Sequence, residues 1–509
     1  MGTTLTPSPS RLHGRLFLLL LPLLLGFWGC TQTAPNGPLA NRPPVTHLAT
    51  DTVNNVLTSR VHLNWYGDDP DGFVRGFLFS WDRANWYFTR RNDSTFSLPL
   101  QGANGLFTFS IAAVDNGAAV FPQADTAITV PFDDANSNGR YDDGEKFVGL
   151  EGATDPTPAT LDVPIENSPP VVFFGDDSTQ ASRRLVQLPD TTFTVATFRW
   201  VGYDIDGAGT IARYEWALND TVASGAWHPL PPGTTTITLH ELDGIRPNDL
   251  NRFYLRAVDA AGANSKTIAM PENDGVWYAK RPRGRLLLVR DYTFSDAAGF
   301  YAGLLDTLDG GRLAGKYDEF DIRRGAASTG GYGALVPPII DPMVIETFRL
   351  FDAIIWYGDA SPTLALAAQT LPAYTRSGGK VLMTTALPSV LDAQAFITDF
   401  APVDSVATNE LPNPLPATTT LGPVPLPEGG EYPPLQKGSG TMFVHPLYPA
   451  ITASVLYRLP LSSAWQGEPV VAVRSGEKRF ILASVQLHKL TQASVGEFLR
   501  RVLVVEFGL

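Results

Sequence analysis

The chain has 509 residues, more than one hydrophobic core normally serves, so about three domains of ordinary size are expected. Its formal charge of −13, with no basic stripe carrying interleaved aromatics, excludes nucleic acid as a natural partner and favours divalent cations. Cys30 is the only cysteine, which excludes disulfide staples and thiolate metal sites from the fold.

The first thirty residues form an address label. Met1 to Arg15 carries Arg11, His13 and Arg15 with no acidic residue, and Leu16 to Trp28 is an apolar run too short to span a bilayer comfortably, closing on Gly29-Cys30. This end resembles the signal of bacterial lipoproteins, although Phe27 and Trp28 replace the usual leucine and small residue. The resemblance implies that residues 1–29 are removed and that Cys30 becomes an acylated membrane anchor. Thr31, in place of an aspartate, directs the expectation to an extracytoplasmic, outer-membrane location. An ordinary cleaved signal with a coincidental cysteine is the alternative. Residues 30–43 are polar and proline-rich, which suits a flexible tether.

Two later segments repeat one another. WYGDDPDGFVRGFLFSW (Trp65 to Trp81) matches WVGYDIDGAGTIARYEW (Trp200 to Trp216), and FSIAAVDNGA matches FYLRAVDAAGA. Each unit gives alternating strands around an Asp-Gly turn and a later strand ending in Ala-Val-Asp, the period of a β-sandwich. The units resemble fibronectin type III or immunoglobulin-like modules of bacterial secreted proteins. They are expected over residues 44–166 and 167–280, with Trp65 and Trp200 packed between sheets. The turns Asp68-Asp69-Pro70-Asp71-Gly72 and Asp204-Ile205-Asp206-Gly207 are expected to be plain tight turns, since Asp, Pro and Gly suit the backbone alone.

The sharpest chemical signal lies within the first module, at DANSNGRYDDGE, residues 134–145. Asp134, Asn136, Asn138, Asp142 and Glu145 fall at loop positions one, three, five, nine and twelve, Gly139 at six, and Arg140 offers its carbonyl at seven. This is the EF-hand spacing and predicts calcium; zinc would want nitrogen or sulfur. No long amphipathic helices flank it, so it resembles the isolated calcium loops of extracellular bacterial proteins. A solvated acidic turn is the alternative reading.

From about Arg283 the texture changes. RLLLVRDY, FDAIIWYGD, GGKVLMTTA and RFILASVQLH are apolar strands separated by helical patterns and followed by QASVGEFLRRVLVVEF, which predicts a three-layer α/β domain with a mostly parallel sheet over 283–509. The proline-rich stretch 411–435 is expected to be a surface excursion, either a lid or a passive loop. The region resembles the flavodoxin-like fold of class I glutamine amidotransferases and their trehalose-utilisation-protein relatives. Active members carry a cysteine after the strand and a His-Pro-Glu later. Here Thr385 stands near the cysteine position without an elbow of glycines, and His488 is followed by Lys489 and Leu490. A threonine hydroxyl needs an adjacent, oriented base, which the sequence does not supply.

No Gly-x-Ser-x-Gly elbow, phosphate loop, dinucleotide fingerprint or metal-spaced histidine pair is present. His445, His488 and Thr385 are the weak catalytic candidates. The two histidines could converge at the carboxyl ends of the strands, beside Asp291, Asp359 and Ser361, which could equally cap helices and close turns. The expectation is a multidomain, membrane-anchored extracytoplasmic lipoprotein without catalysis, whose calcium-stiffened sandwiches present a degenerate amidotransferase-like domain to a glycan or protein ligand. Its competitors are a carbohydrate- or cell-wall-active hydrolase with the sandwiches as substrate-binding modules, and a glycan-binding adhesin using exposed aromatics such as Trp86 or Trp227.

Overall fold

The computed structural model describes residues 40–49, 60–98, 104–118, 121, 129–175, 188–207, 209–323, 335–337, 339–388 and 396–509. The signal, Cys30 and most of the tether lie outside them. The chain divides into two compact units. One holds the described parts of Met1–Ala49, Trp65–Asn92 and Phe109–Leu161; the other holds those of Thr50–Asn64, Asp93–Thr108 and Asp162–Leu509.

The first strands are β1 (Val45–Ala49), β2 (Arg60–Asp68), β3 (Val74–Ser80), β4 (Tyr87–Thr89), β5 (Asp93–Ser97), β6 (Asn104–Asp115) and β7 (Ala159–Glu166). They form sheets in the orders β1-β2-β5 and β4-β3-β6-β7. In β2 Val61, Leu63 and Trp65 are buried while Arg60 and His62 face out, the alternation that the sequence shows. In the first unit Trp65 packs against Phe77 of β3 and Phe109 of β6, with its indole N–H donating to Arg91 O (2.9 Å).

The second unit begins its sandwich with β8 (Val171–Phe174), β9 (Thr191–Phe193), β10 (Val195–Tyr203), β11 (Ile211–Leu218), β12 (His228–Leu230) and β13 (Thr236–His240). It continues with β14 (Asp249–Asn251), β15 (Phe253–Asp259), β16 (Ile268–Met270) and β17 (Trp277–Lys280). The sheet orders are β13-β10-β8, β12-β11-β15-β16 and β14-β17-β9. Phe198 stacks flat on Phe253, centroids 3.8 Å apart, and Trp200 meets Tyr214 edge-on. Trp65 and Trp200 are therefore core residues. Trp86 is also fully buried, which corrects its reading as an exposed glycan-binding aromatic, and Trp227 is half-covered by the Arg256 guanidinium.

The same unit goes on through β18 (Leu286–Asp291), α1 (Asp296–Thr307), β19 (Tyr317–Asp321), α2 (Ile345–Arg349), β20 (Ala353–Gly358), α3 (Leu364–Arg376) and β21 (Lys380–Thr384). After these come β22 (Val403–Val406), β23 (Thr420–Pro423), β24 (Leu435–Gln436), β25 (Leu447–Pro449), β26 (Ser454–Arg458), β27 (Val470–Arg474), β28 (Phe480–Ala483) and α4 (Gln492–Leu499). One sheet runs β19-β18-β20-β21-β28-β27-β26-β23-β24. Its first five strands are parallel and the remainder antiparallel. Leu286, Leu288 and Ile355 face one core with residues of α1 and α4; Leu287, Val289, Ile354 and Trp356 face another with residues of α2 and α3. Burial on both faces explains why β18 and β20 are continuous apolar runs in the sequence.

The proline-rich stretch 411–435 is not a surface excursion. Leu411, Leu415, Leu421, Leu426, Tyr432 and Leu435 are buried in the α1/α4 core, and β23 pairs with β26 and β24. The leucines between the prolines carry enough apolar surface to dock the segment, and its prolines suit an edge of the sheet. No helix of the described residues is long and apolar enough to cross a membrane.

Candidate functional site

The acidic loop of the first unit is built on a hydrophobic plug. Phe132 and Phe147 form an antiparallel bridge, and Asp133 N–H donates to Lys146 O (2.8 Å), which pinches the loop at its base. Tyr141 is fully buried with Trp86, Phe88, Phe147 and Leu150, and its hydroxyl donates to Glu145 O (2.8 Å). Burial, followed by the charges of Asp143, Asp155 and Glu145, pushes the Tyr141 phenol up to about 12. Gly139 sits at φ 77°, which lets the chain turn sharply at loop position six.

The predicted ligands turn toward one another. Asp134 Oδ2 accepts from Gly139 N–H (2.6 Å) and its Oδ1 from Asn138 N–H (3.1 Å). Glu145 accepts from Ala135 N–H through Oε1 (2.8 Å) and from Asp142 N–H through Oε2 (2.9 Å). The amides of Asn136 and Asn138 both donate to Asp142 Oδ2, at 2.7 and 2.8 Å. Arg140 N–H donates to Asn138 Oδ1 (2.7 Å). Thus Asp134, Asn136, Asn138, Asp142 and Glu145 share one bonded network, with Arg140 joined to it through its main chain. No three His, Cys, Asp or Glu side chains among the described residues are gathered as they would be around a metal. Half of this loop's donors are amide or main-chain oxygens, and an all-oxygen set fits a hard cation such as calcium.

The second candidate region is the carboxyl end of the parallel strands. Asp291 ends β18, Asp359 follows β20, Thr385 follows β21, and His488 lies in a single 3₁₀ turn, Leu487–Lys489, after β28. Asp291 accepts from Thr363 N–H (2.6 Å), Thr363 hydroxyl (2.7 Å) and Trp356 indole N–H (3.1 Å). It therefore ties the start of α3 to the strand tip. Burial pushes its carboxyl up to about 6, against the lowering effect of these bonds. Asp359 accepts from Ser361 N–H (2.8 Å) and the Thr293 hydroxyl (3.2 Å).

Thr385 is fully buried, and its hydroxyl donates to Asp359 O (2.6 Å) and lies 3.0 Å from Ala386 O. The Tyr292 ring meets His488 edge-on at 4.6 Å. His488 Nε2 is buried without a hydrogen-bond partner, 4.0 Å from Asp296 Oδ2, and burial lowers the imidazole to about 4. His445 is held elsewhere, its Nδ1 2.9 Å from Ala407 O. Thr385 is thus bonded to Asp359, and Asp291 to Thr363, at the ends of neighbouring strands, whereas the two histidines share no partner among the described residues.

Sequence reasoning missed Thr363 and Tyr292. Thr363 precedes a helical pattern and could have been found as a cap, but nothing in the sequence joins Tyr292 to His488. Two cavities form away from these residues, one lined by Phe351, Tyr374, Gly379 and Lys380, the other between α1 and α4.

No family model matches the chain, and no curated protein matches it. Solved structures do. The fibronectin(III)-like modules of Clostridium thermocellum CbhA are 9% identical, with 47% of this chain and 96% of that one covered, at a TM-score of 0.17. The two-domain fibronectin type III segment of chicken tenascin is 10% identical, covering 46% of this chain and 99% of its own, at 0.22. Agd3, a carbohydrate deacetylase, is 9% identical over 44% of this chain and 32% of that chain, at 0.28.

Proposed function

We propose that the protein is a non-catalytic, extracytoplasmic lipoprotein, anchored through acylated Cys30, in which fibronectin type III-like sandwiches stiffened by calcium present a degenerate α/β domain to a glycan or protein ligand. The observation that carries this reading is the state of Thr385. Its hydroxyl is committed to main-chain carbonyl oxygens and bonds to no basic side chain among the described residues, so it lacks the activation a nucleophile needs. His488, buried with its Nε2 unpartnered, has no acceptor among the described residues that orients it as a base. The order β19-β18-β20-β21-β28 of parallel strands, the second strand lying outside the first, supports the flavodoxin-like and amidotransferase-like assignment of residues 283–509.

Calcium would be held by Asp134, Asn136, Asn138, Asp142 and Glu145 with the Arg140 carbonyl, and its charge would offset the repulsion among the loop's carboxylates. Two measurements test the reading. Purified protein is expected to turn over neither glutamine nor ester or glycoside substrates; turnover that disappears in His488→Ala, or a covalent adduct on Thr385, overturns the non-catalytic part. Added calcium is expected to raise the melting temperature, and the rise to shrink in Glu145→Ala; an unchanged rise in that variant overturns the loop assignment.

A further inference from the structure

The second sandwich carries an acidic site that the tight-turn reading does not explain. The chain enters through Asn167-Ser168-Pro169-Pro170, β10 runs out into Asp204-Ile205-Asp206-Gly207, and β15 ends in Asp259. Ser168 N–H donates to Asp206 Oδ2 (2.6 Å) and the Asn167 amide to Asp259 Oδ2 (2.6 Å), so consecutive residues hold two carboxylates side by side. Asp206 N–H donates to Asp204 Oδ1 (3.0 Å), which ties Asp204 into the same turn. Asp206 is 1% exposed and Asp259 2%.

Two oxygens remain bare. Asp204 Oδ2 and Asp206 Oδ1 are buried without any hydrogen-bond partner, and the Thr210 hydroxyl donates to Gly207 O (2.9 Å). No Lys, Arg or His pairs with Asp204, Asp206 or Asp259 among the described residues. A tight turn needs the bonded oxygens of these residues but not the bare ones, and leaving charged oxygens buried and unpaired is strongly unfavourable.

The first sandwich repeats the arrangement within its own unit. The Asn41 amide donates to Asp115 Oδ2 (2.8 Å), Arg42 N–H to Asp71 Oδ2 (3.1 Å) and Asp71 N–H to Asp69 Oδ1 (3.3 Å). Asp69 Oδ2, at the position that matches Asp204, is again buried without a partner. The same bare oxygen thus recurs at matching positions.

We propose that the second sandwich binds a calcium ion at the Asp204–Asp206 turn, through Asp204 Oδ2 and Asp206 Oδ1, with the Asp259 charge behind them and main-chain or water oxygens completing the shell. Oxygen ligands and clustered negative charge select a hard divalent cation, and no nitrogen or sulfur ligand is at hand for zinc. The site is separate from the loop 134–145.

The test uses the full chain, stripped with a chelator and titrated with calcium chloride by calorimetry, in an Asp142→Asn/Glu145→Gln background that disables the loop. Calcium is expected still to bind, and Asp206→Asn is expected to remove one ion per chain while leaving the calcium-free melting temperature unchanged or higher, because a repelling charge is gone. An unchanged number of bound ions overturns the proposal. Should Asp206→Asn fail to fold, the half-buried Asp204→Asn gives the same readout.

Discussion

The ring of Tyr141 lies flat on that of Phe147, centroids 4.5 Å apart and planes 10° apart, beneath the loop that carries the proposed calcium ligands. Tyr141 occupies position eight of the loop, between Arg140 and Asp142, so the stack fixes the height of the ligands on either side. Tyr141→Phe keeps the stack and loses the bond to Glu145 O, which is expected to cost about 1 kcal/mol. Tyr141→Ala empties a fully buried site and is expected to cost about 3–5 kcal/mol. Urea unfolding of the two variants checks this ranking, and equal losses would show that the ring does not pin the loop.

His488 should make the fold acid-sensitive. Its ordinary value is 6.5 and burial lowers it to about 4 in the folded chain, so the unfolded chain binds the proton more tightly between those values. Stability from this group is complete above about 6.5 and falls as the pH drops toward 4, by about 3 kcal/mol in all. His488→Phe keeps a ring against Tyr292 and removes the charge, so its stability curve is expected to lose this fall. Melting temperatures from pH 7 to 4 decide it; parallel curves for the two proteins would exclude a buried neutral imidazole.

Asp291 acts with the opposite sign in an overlapping window. Raised from 3.8 to about 6, its carboxyl holds a proton more tightly when folded. Its contribution is complete below about 3.8 and is lost as the pH rises through 6, by about 3 kcal/mol. The two groups therefore mask each other between pH 4 and 6. Asn at position 291 can accept from Thr363 N–H and Trp356 while donating to the Thr363 hydroxyl, which both donates and accepts. Asp291→Asn is expected to be more stable than the parent at pH 7 and to expose the steep acid loss due to His488. Lower stability of Asp291→Asn at pH 7 would contradict it.

What the sequence made legible was local. Alternation in β2 placed Trp65 in a core, because a period of two survives in a strand with one buried face, whereas in β10 Val195 to Phe198 are all buried and Trp200 follows them inside. The order of oxygen-bearing residues from Asp134 to Glu145 named a bonded network, because all its members lie within twelve residues. Burial set by distant partners was not legible. Trp86 is covered by Tyr141 and Phe147, supplied by the inserted loop itself. Asp291 meets Thr363 across 72 residues. The stretch 411–435 carries its leucines at spacings that fit neither a helix nor a strand, so only the surrounding core reveals that they are inside.

The double glycine between α3 and β21 is one place where a sequence signal and a packing constraint coincide, and its two members do different work. Gly378 has φ 103° with open space where a Cβ would stand, so Gly378→Ala meets only backbone strain, about 1–2 kcal/mol. Gly379 lies against the Tyr374 ring, into which a Cβ would be driven. That ring is buried and cannot retreat freely, since its hydroxyl donates to Phe351 O (3.0 Å) at the foot of β20. Gly379→Ala must therefore overpack the core or break that bond, and is expected to cost about 3 kcal/mol or more. Tyr374→Phe removes the anchor and should soften the effect of Gly379→Ala, a coupling that a double-mutant cycle in urea would read directly. Additive losses across the cycle would mean that the glycine is required for its backbone alone.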